Sequence, residues 1–219
     1  MSDTRVIVPA YNLEGRRAEN ADAVLRHLHA GGLEVLTVAP LNGGSMSHAR
    51  NLGAEIAEHE NPAPSVLVFN DADSLVPHRQ ILEAAMMARM GGGLVYAYTL
   101  YLSCRPSSSA RYIDGELELE HLAAGAEELM GTASVGCVAI TAEAFRRVGR
   151  FDQRFYGWGY EDYEFRARCA ATLGGNVGRV AGPLYHLWHG ARRPDHSPID
   201  ADPASIERNR LLWAELSTP

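Results

Sequence analysis

Two carboxylates separated by a single residue, Asp71 and Asp73, follow the apolar run at residues 66–69 after Asn70. Such a run is typical of a buried strand in a parallel sheet, and ligands of open α/β sheets bind at the carboxyl ends of the strands. Paired carboxylates offer hard oxygen ligands to Mg²⁺ or Mn²⁺ and, through the cation, a site for phosphate oxygens. The same triplet also occurs in polar turns and helix caps, so by itself it does not decide between a metal site and a turn.

Two histidines three residues apart, His186 and His189, supply nitrogen ligands near the other end of the chain. Neutral imidazole is the commonest ligand of transition metals, and residues at this spacing can face the same side of a turn. A lone histidine is usually structural, but a pair in the same chain as Asp71 and Asp73 is better explained by a shared cation. The mixed oxygen and nitrogen ligands favour Mn²⁺ over Mg²⁺.

The densest chemical signal is a run of aromatic, glycine and acidic residues at 151–165. Two glycines flank Trp158, so the backbone can approach a ligand closely while the indole offers a face for stacking. Glu161 and Asp162 then stand at the start of a predicted helix, whose dipole favours their ionised forms. An ionised carboxylate suits a general base or an acceptor of ligand hydroxyls, although a charged first helical turn is common without any function.

Composition excludes several classes of function. All 20 basic residues are arginine, which excludes a Walker-A phosphate loop and disfavours Schiff-base enzymes and haloacid-type phosphatases, because each needs a lysine. The net charge of −7 argues against a broad surface for duplex nucleic acid. Cys104, Cys137 and Cys169 are widely spaced without metal-ligand spacing, which indicates a reduced, cytoplasmic protein. No apolar run approaches the ~20 residues that a membrane-spanning helix needs.

Strands alternate with helices along the 219 residues, which predicts a single α/β domain with a mostly parallel, doubly wound sheet. The predicted strands are residues 5–9, 34–39, 66–69, 94–98, 135–140 and 177–180, and the predicted helices are residues 18–29, 48–58, 77–90, 142–148, 164–173 and 206–216.

Three further expectations concern packing and loops. In the helix at 77–90 we expect methionine as core filler, on a buried side that consists of Ile81, Leu82, Ala85, Met86 and Met90. Residues 105–115 and 190–203 are expected to be mobile loops that close over a ligand. Residues 116–130 are expected to form an acidic helix.

The order of these motifs resembles that of GT-A glycosyltransferases. Residues 8–12, 49–53 and 71–73 are similar to the nucleotide-binding half of family 2 enzymes. Residues 149–152 and 157–164 are similar to the acceptor-side motif of the β-1,4-galactosyltransferases and polypeptide N-acetylgalactosaminyltransferases. The resemblance implies a GT-A fold, Rossmann-like, in one compact domain.

That resemblance also implies a division of the domain. The nucleotide-sugar half would occupy about residues 1–100, the acceptor and catalytic half about residues 101–190, and a C-terminal lid and helix residues 191–219. Family 2 enzymes usually have an acidic residue after the second strand, and residues 38–42 have none, so the nucleotide is open, with uridine as the first expectation.

Roles for individual residues follow from the same resemblance. Asp73, His189 and His186 would bind the metal, Mn²⁺ or Mg²⁺. Asp162 would be the general base, and Glu161 would hold sugar or acceptor hydroxyls. The residues implied in binding the nucleotide and sugar are Pro9, Ala10, Tyr11, Asn12, Arg50, Asp71, Trp158 and Gly159.

Within that set, Arg50 would steady the Asp-x-Asp turn or a phosphate. Asp71 would lie near the ribose or the water shell of the metal. Pro9, Ala10 and Tyr11 would line the nucleobase pocket.

The implied function is metal-dependent, inverting transfer of a sugar from a nucleotide-sugar donor to a hydroxyl of a glycan, a glycoside or a protein. One alternative is a non-catalytic nucleotide-sugar-binding module. Another is a glycosyltransferase acting on hydroxymethylated DNA bases, which the acidic net charge disfavours. A nucleotidyltransferase would need a glycine-rich phosphate loop after the first strand, and residues 11–17 fit that pattern poorly.

Overall fold

The structure, a computed structural model, describes residues 3–11, 13–41, 44–128, 135–191 and 197–217. The strands are β1 (Thr4–Pro9), β2 (Val35–Val38), β3 (Val66–Asn70), β4 (Ser74–Leu75), β5 (Leu94–Tyr96), β6 (Leu100–Ser103), β7 (Glu127–Glu128), β8 (Cys137–Thr141), β9 (Val177–Arg179) and β10 (Pro183–His186). The α-helices are α1 (Arg16–Ala30), α2 (Met46–Glu58), α3 (His78–Gly91), α4 (Pro106–Ile113), α5 (Ala142–Val148), α6 (Glu161–Thr172) and α7 (Pro203–Leu216).

The larger sheet has six strands in the order β2-β1-β3-β8-β5-β9. β1 pairs in parallel with β2 and β3, and β5 pairs in parallel with β9. β8 lies between β3 and β5 and runs antiparallel to both. Five strands therefore share one direction, which confirms the predicted mostly parallel α/β sheet. All of β3 is buried, as its run of apolar residues predicts.

A second, four-stranded sheet has the order β4-β10-β6-β7. β10 pairs antiparallel with β4 and parallel with β6, so that His186 lies opposite Ser74 on one side and Ser103 on the other. None of these four strands is among those predicted from the sequence. Their register matters for function because it brings a histidine next to the residue that follows Asp73.

The expected burial of Leu82, Met86 and Met90 is wrong. These side chains are 40%, 48% and 82% exposed, and they lie on the outer face of α3. The buried face of the helix consists of Gln80, Ile81, Ala84, Ala85 and Ala88. Small alanines let the helix lie close to the sheet, and the helical period then turns the three larger side chains toward solvent.

Two expectations about the middle of the chain are also wrong. The expected loop at 105–115 contains α4, which begins with Pro106 in its first turn. Ser109 is buried in this helix, and its Oγ accepts the Trp188 N–H at 2.9 Å, so tertiary contacts fix a stretch whose composition resembles a loop. In place of the acidic helix, the described part of 116–130 has a 3₁₀ helix at Leu119–Ala123 and the strand β7.

Within the expected loop at 190–203, residues 192–196 lie outside the described residues, while Asp202 caps the start of α7. Among the described residues, no helix is both long enough and apolar enough to cross a bilayer.

Candidate metal centre and active site

One carboxylate and two imidazoles meet where the two sheets join. The Asp73 Oδ2 atom lies 3.4 Å from His186 Nε2 and 3.3 Å from His189 Nε2. One ligand atom from each of the three residues lies within 4.8 Å of the others. The structure thus brings together the three residues expected to bind the metal, although Asp73 lies far from both histidines in the sequence.

Backbone contacts fix this arrangement. Asp73 lies between β3 and β4, and its carbonyl oxygen accepts the N–H of Leu187 at 2.8 Å. The buried amide of Asn20, on α1, donates to the carbonyl oxygens of Leu187 and Trp188 at 3.4 and 3.3 Å. The chain between the two histidines is therefore held from two sides, by the strand ends and by α1.

The chemistry of this cluster suits a divalent cation. Burial alone would raise the pKa of Asp73, but the adjacent His186 and His189 outweigh it and hold that pKa well below its ordinary value. An ionised carboxylate and two imidazole nitrogens form a mixed oxygen and nitrogen set of the kind that Mn²⁺ accepts. The other ring nitrogen of His189, Nδ1, is buried and has no partner among the described residues. The residues present fit a cation.

A second cluster lies around Arg50, whose side chain is 1% exposed. Its Nη2 donates to Asp71 Oδ1 at 2.7 Å, and its Nη1 donates to Asp162 Oδ1 at 2.9 Å. The guanidinium also lies over the ring of Phe151, 5.0 Å from the centroid. Asp162 accepts the Val135 N–H on its other oxygen at 2.8 Å. Arg50 thus joins the Asp-x-Asp turn to the first turn of α6, and both its Nη atoms already bond carboxylates.

Two carboxyl groups near Arg50, those of Asp71 and Glu161, have raised pKa values. Burial is the largest cause for both Asp71, whose pKa rises to about 6, and Glu161, whose pKa rises to about 8. The negative charge of Asp162 adds to both shifts, and Arg50 only partly opposes them. The expectation that the helix dipole keeps Glu161 ionised is therefore wrong near neutral pH, because burial among other acids outweighs the dipole.

The residues expected to line the nucleobase pocket lie at the carboxyl end of β1. Pro9 is the last residue of that strand, and the Ala10 N–H donates to the Val38 carbonyl at 2.8 Å. Tyr11 is half-buried; burial raises its pKa, and the nearby Glu161 adds to the shift. Because β1 and β3 are parallel neighbours, these residues share an edge of the sheet with the acidic turn. Asn12 lies outside the described residues.

Trp158 and Gly159 lie directly before α6. Trp158 is 38% exposed, so its indole can meet a ligand, and Gly159 adopts a φ of 95°. A side chain at Gly159 would meet nothing within 4 Å. The positive φ, rather than crowding, is therefore what glycine is needed for at this position.

Several residues that position the site were not predicted from the sequence. The buried side chain of Asn51, on α2, bonds both backbone groups of Phe151, accepting its N–H at 3.0 Å and donating to its carbonyl at 2.9 Å. Asn20 on α1 and Asn209 on α7 are also buried, and their side-chain amides likewise donate to backbone carbonyl oxygens. A buried asparagine cannot be recognised in a sequence without knowing which helix face it lies on.

Comparison with known families gives one match. The sequence model of a family described as the N-terminal domain of galactosyltransferase matches residues 121–190. That segment contains the acidic and aromatic run and both histidines of the metal centre. A search of curated proteins finds no match.

Solved structures similar to this chain are glycosyltransferases and related enzymes. The catalytic domain of Drosophila β1,4-galactosyltransferase 7, in complex with xylobiose, is 15% identical with a TM-score of 0.58, over 94% of this chain and 79% of that one. GalNAc-T7 with UDP, GalNAc and Mn²⁺ is 12% identical with a TM-score of 0.54, over 97% and 47%. Glucosyl-3-phosphoglycerate synthase from Mycobacterium tuberculosis, with Mn²⁺ and UDP-glucose, is 17% identical with a TM-score of 0.51, over 97% and 77%.

A further complex of the Drosophila enzyme, with manganese, UDP-Gal and xylobiose, is matched over 64% of its length at a TM-score of 0.52. This chain therefore spans less than two thirds of some of the chains it resembles. The likeness confirms the predicted GT-A fold. The chain shares this fold with glycosyltransferases, and its residues 121–190 match the galactosyltransferase family model.

Proposed function

We propose that this chain is a metal-dependent, inverting glycosyltransferase that moves a sugar from a nucleotide-sugar donor to an acceptor hydroxyl. The observation that carries the proposal is the convergence of Asp73, His186 and His189 beside the Arg50-linked pair of Asp71 and Asp162. Similar folds are solved with Mn²⁺ and UDP or UDP-sugars, which supports a UDP-sugar as the first donor to test.

Asp73, His186 and His189 would hold the cation, Mn²⁺ or Mg²⁺. When bound, the cation would neutralise charge on the donor diphosphate as it leaves. Both Nη atoms of the buried Arg50 already bond carboxylates, so in our proposal Arg50 steadies the acidic turn and does not bind a phosphate. Asp71 then faces the donor from the same turn as Asp73.

Asp162 is proposed as the general base. Arg50 and the Val135 N–H fix both of its oxygens, yet a carboxylate has about four acceptor positions, so lone pairs remain for a substrate hydroxyl. In the transfer step, Asp162 takes the hydroxyl proton while the acceptor oxygen bonds to the anomeric carbon of the sugar. The bond from that carbon to the diphosphate oxygen breaks, and the leaving diphosphate keeps the electron pair. A single displacement from the opposite face inverts the configuration.

The neighbouring residues complete the proposed site. Glu161, protonated at neutral pH because its pKa is about 8, can donate a hydrogen bond to a sugar or acceptor oxygen. Trp158 and Gly159 would shape the acceptor side of the sugar site, and the end of β1 with Pro9, Ala10 and Tyr11 would receive the nucleobase. In this division the donor binds mainly to the first half of the domain and the acceptor to the second.

The acceptor is proposed to be a glycan, a glycoside or a protein. Hydroxymethylated DNA is the least favoured, because the net charge of −7 and the acids around Arg50 repel a phosphodiester backbone. All three cysteines are buried free thiols, which supports the proposal of a reduced, cytoplasmic setting.

The test begins with a thermal-shift screen of nucleotide sugars with Mn²⁺ and with EDTA. We expect one donor to raise the Tm only when metal is present. Hydrolysis and transfer of that donor are then measured for Asp162→Asn, which should lower transfer about 10²–10⁴-fold while the metal-dependent Tm shift persists.

The matched control is Asp114→Asn, at an exposed aspartate after α4, which should leave transfer unchanged. Transfer unaffected by Asp162→Asn would remove the base assignment. Binding of a nucleotide sugar with no turnover under any condition would favour the non-catalytic module.

A further inference from the structure

The segment 156–160, here called the Trp loop, has an unusual backbone. Gly157, Gly159 and Tyr160 have φ angles of 81°, 95° and 72°, so three of its five residues are in the left-handed region. That region is costly for a residue such as Tyr160, and it persists only when surrounding contacts impose it. The loop ends directly before Glu161 and Asp162, so whatever imposes its shape also sets the start of α6.

The contacts come from α7. Asn209 on this helix is 1% exposed, and its amide group meets the loop at three points. Its Oδ1 accepts the Tyr156 N–H at 3.3 Å, and its Nδ2 donates to the carbonyl oxygens of Tyr156 and Trp158 at 3.0 and 3.2 Å. One side chain thus bonds the backbone on both sides of Gly157.

Two neighbours of Asn209 extend the contact. Ser205 lies one turn earlier on α7 and packs closely against Gly157. A Cβ atom added at Gly157 would come within 2.5 Å of the Ser205 Oγ. Arg208 donates to the Tyr156 carbonyl at 2.7 Å, and its guanidinium lies 5.6 Å from the centroid of the Tyr156 ring. The helix therefore packs against the backbone of the loop, while Trp158 keeps its indole toward solvent.

We propose that Asn209 is a positioning residue and that α7 holds the Trp loop in the conformation that receives the acceptor. The inference rests on the proposed function, since it assigns the loop to the acceptor side. It extends the machinery beyond the family match, which ends at residue 190. The metal ligands have their own backbone supports, so α7 acts on the acceptor step and leaves donor and metal binding unchanged.

The first test needs no substrate. The chain has three tryptophans, so ¹⁹F NMR of protein labelled with 5-fluorotryptophan resolves the loop, with the Trp158 signal assigned through Trp158→Phe. Asn209→Asp keeps the size of the side chain but turns a carboxylate toward two carbonyl oxygens, and Asn209→Ala removes all three bonds. Both should shift or broaden the Trp158 signal and leave that of Trp188 in place.

Leu211→Ala, at a side chain 54% exposed on the same helix, is the matched control and should leave the Trp158 signal unchanged. Arg208→Met removes one loop contact at an exposed position and should give a smaller shift if the Asn209 variants fail to fold. An unchanged Trp158 signal in folded Asn209 variants, or in Arg208→Met where those variants do not fold, would overturn the proposal.

The second test separates acceptor use from donor use. In Asn209→Asp, transfer efficiency at limiting acceptor should fall at least about tenfold, since a misplaced binding surface costs orientation. Metal-dependent hydrolysis of the donor should stay within about twofold of wild type, whereas a general loss of stability would lower both.

Equal loss of hydrolysis and transfer would reduce α7 to a structural helix. If the wild type turned over no nucleotide sugar, the proposed function would fail, but the ¹⁹F measurement would still decide whether α7 holds the loop.

Discussion

The two acidic clusters of this site are built in different ways. At the metal centre, strand register and backbone hydrogen bonds bring Asp73 against two imidazoles, and the pKa of Asp73 falls well below its ordinary value. Around Arg50, a single buried guanidinium gathers Asp71 and Asp162 beside Glu161. There the pKa values of Asp71 and Glu161 rise.

The position of an aspartate within the Asp-x-Asp motif therefore does not determine its pKa. Asp71 and Asp73 are two residues apart, yet their pKa values shift in opposite directions. Burial raises both, but Asp73 faces two imidazoles, whereas Asp71 shares one guanidinium with a second carboxylate. The cluster of Asp73, His186 and His189 can accept a cation. Around Arg50, the carboxyl groups outnumber the single guanidinium.

Replacing Arg50 should produce the largest effect. Arg50→Met fills a similar volume but leaves Asp71 and Asp162 buried without their partner, which should cost about 3–5 kcal/mol of unfolding free energy near neutral pH. Chemical denaturation measures this loss. It should shrink at low pH, where Asp71 takes up a proton.

Arg89→Met is the control for that change. Arg89 is 59% exposed and pairs with Asp3 at 2.9 Å, so its loss should cost less than about 1 kcal/mol. Equal losses for the two variants would show that the buried bridge contributes no more than a surface ion pair.

Removing a metal ligand should have the next largest effect. His189→Ala should weaken Mn²⁺ binding at least about 10- to 100-fold, because even indirect supports of metal ligands matter by that much. Titration calorimetry of the metal alone gives the affinity. The folded stability without metal should change much less than in Arg50→Met.

His29→Ala, at an exposed histidine on α1, should bind Mn²⁺ as the wild type does. If His189→Ala also kept wild-type affinity, the cation would have to bind elsewhere. The cluster of Asp73, His186 and His189 would then not be the metal site.

The smallest expected effect is a pH dependence from Glu161. Its folded pKa of about 8 lies above the ordinary 4.5, so the unfolded chain loses this proton first as pH rises. Folding stability is therefore complete below about pH 4.5 and decreases progressively until about pH 8. Glu161→Gln removes this cost and should be more stable than wild type at pH 9, by on the order of 1–3 kcal/mol.

Urea midpoints between pH 4 and 9 in EDTA compare the variant with wild type. Glu55→Gln, at an exposed position on α2, should show no such divergence. A constant difference between Glu161→Gln and wild type across the range would mean that folding does not raise the pKa of Glu161.

Much of the larger sheet could be predicted, because β1, β3 and β8 are continuous apolar runs and strong helix patterns separate the strands. The antiparallel direction of β8 could not be predicted, because an apolar run does not indicate in which direction a strand runs through the sheet. The second sheet was missed because β4, β6, β7 and β10 have two to four residues each, too few for a periodic pattern. Their partners lie far away in the sequence.

Some residues of the site could likewise be predicted from the sequence and others could not. Asp73 and His186 are recognisable because their residue types bind metal, and their meeting in space could be expected from the family order. The link from Arg50 to Asp162 and the hold of Asn209 on the Trp loop could not, because both depend on which helix face is buried. The wrong expectation for Met86 has the same origin, since α3 buries alanines instead.

The pairing of β10 with β4 also determines when the candidate metal centre can assemble during synthesis. Asp73 is synthesised before β10, the strand that pairs with β4 and brings in His186. Contacts between distant parts of a chain form late, after the intervening loop has closed. In the proposed function, a nascent chain can hold the cation only after β10 has paired with β4, so uptake of manganese would report that this pairing is complete.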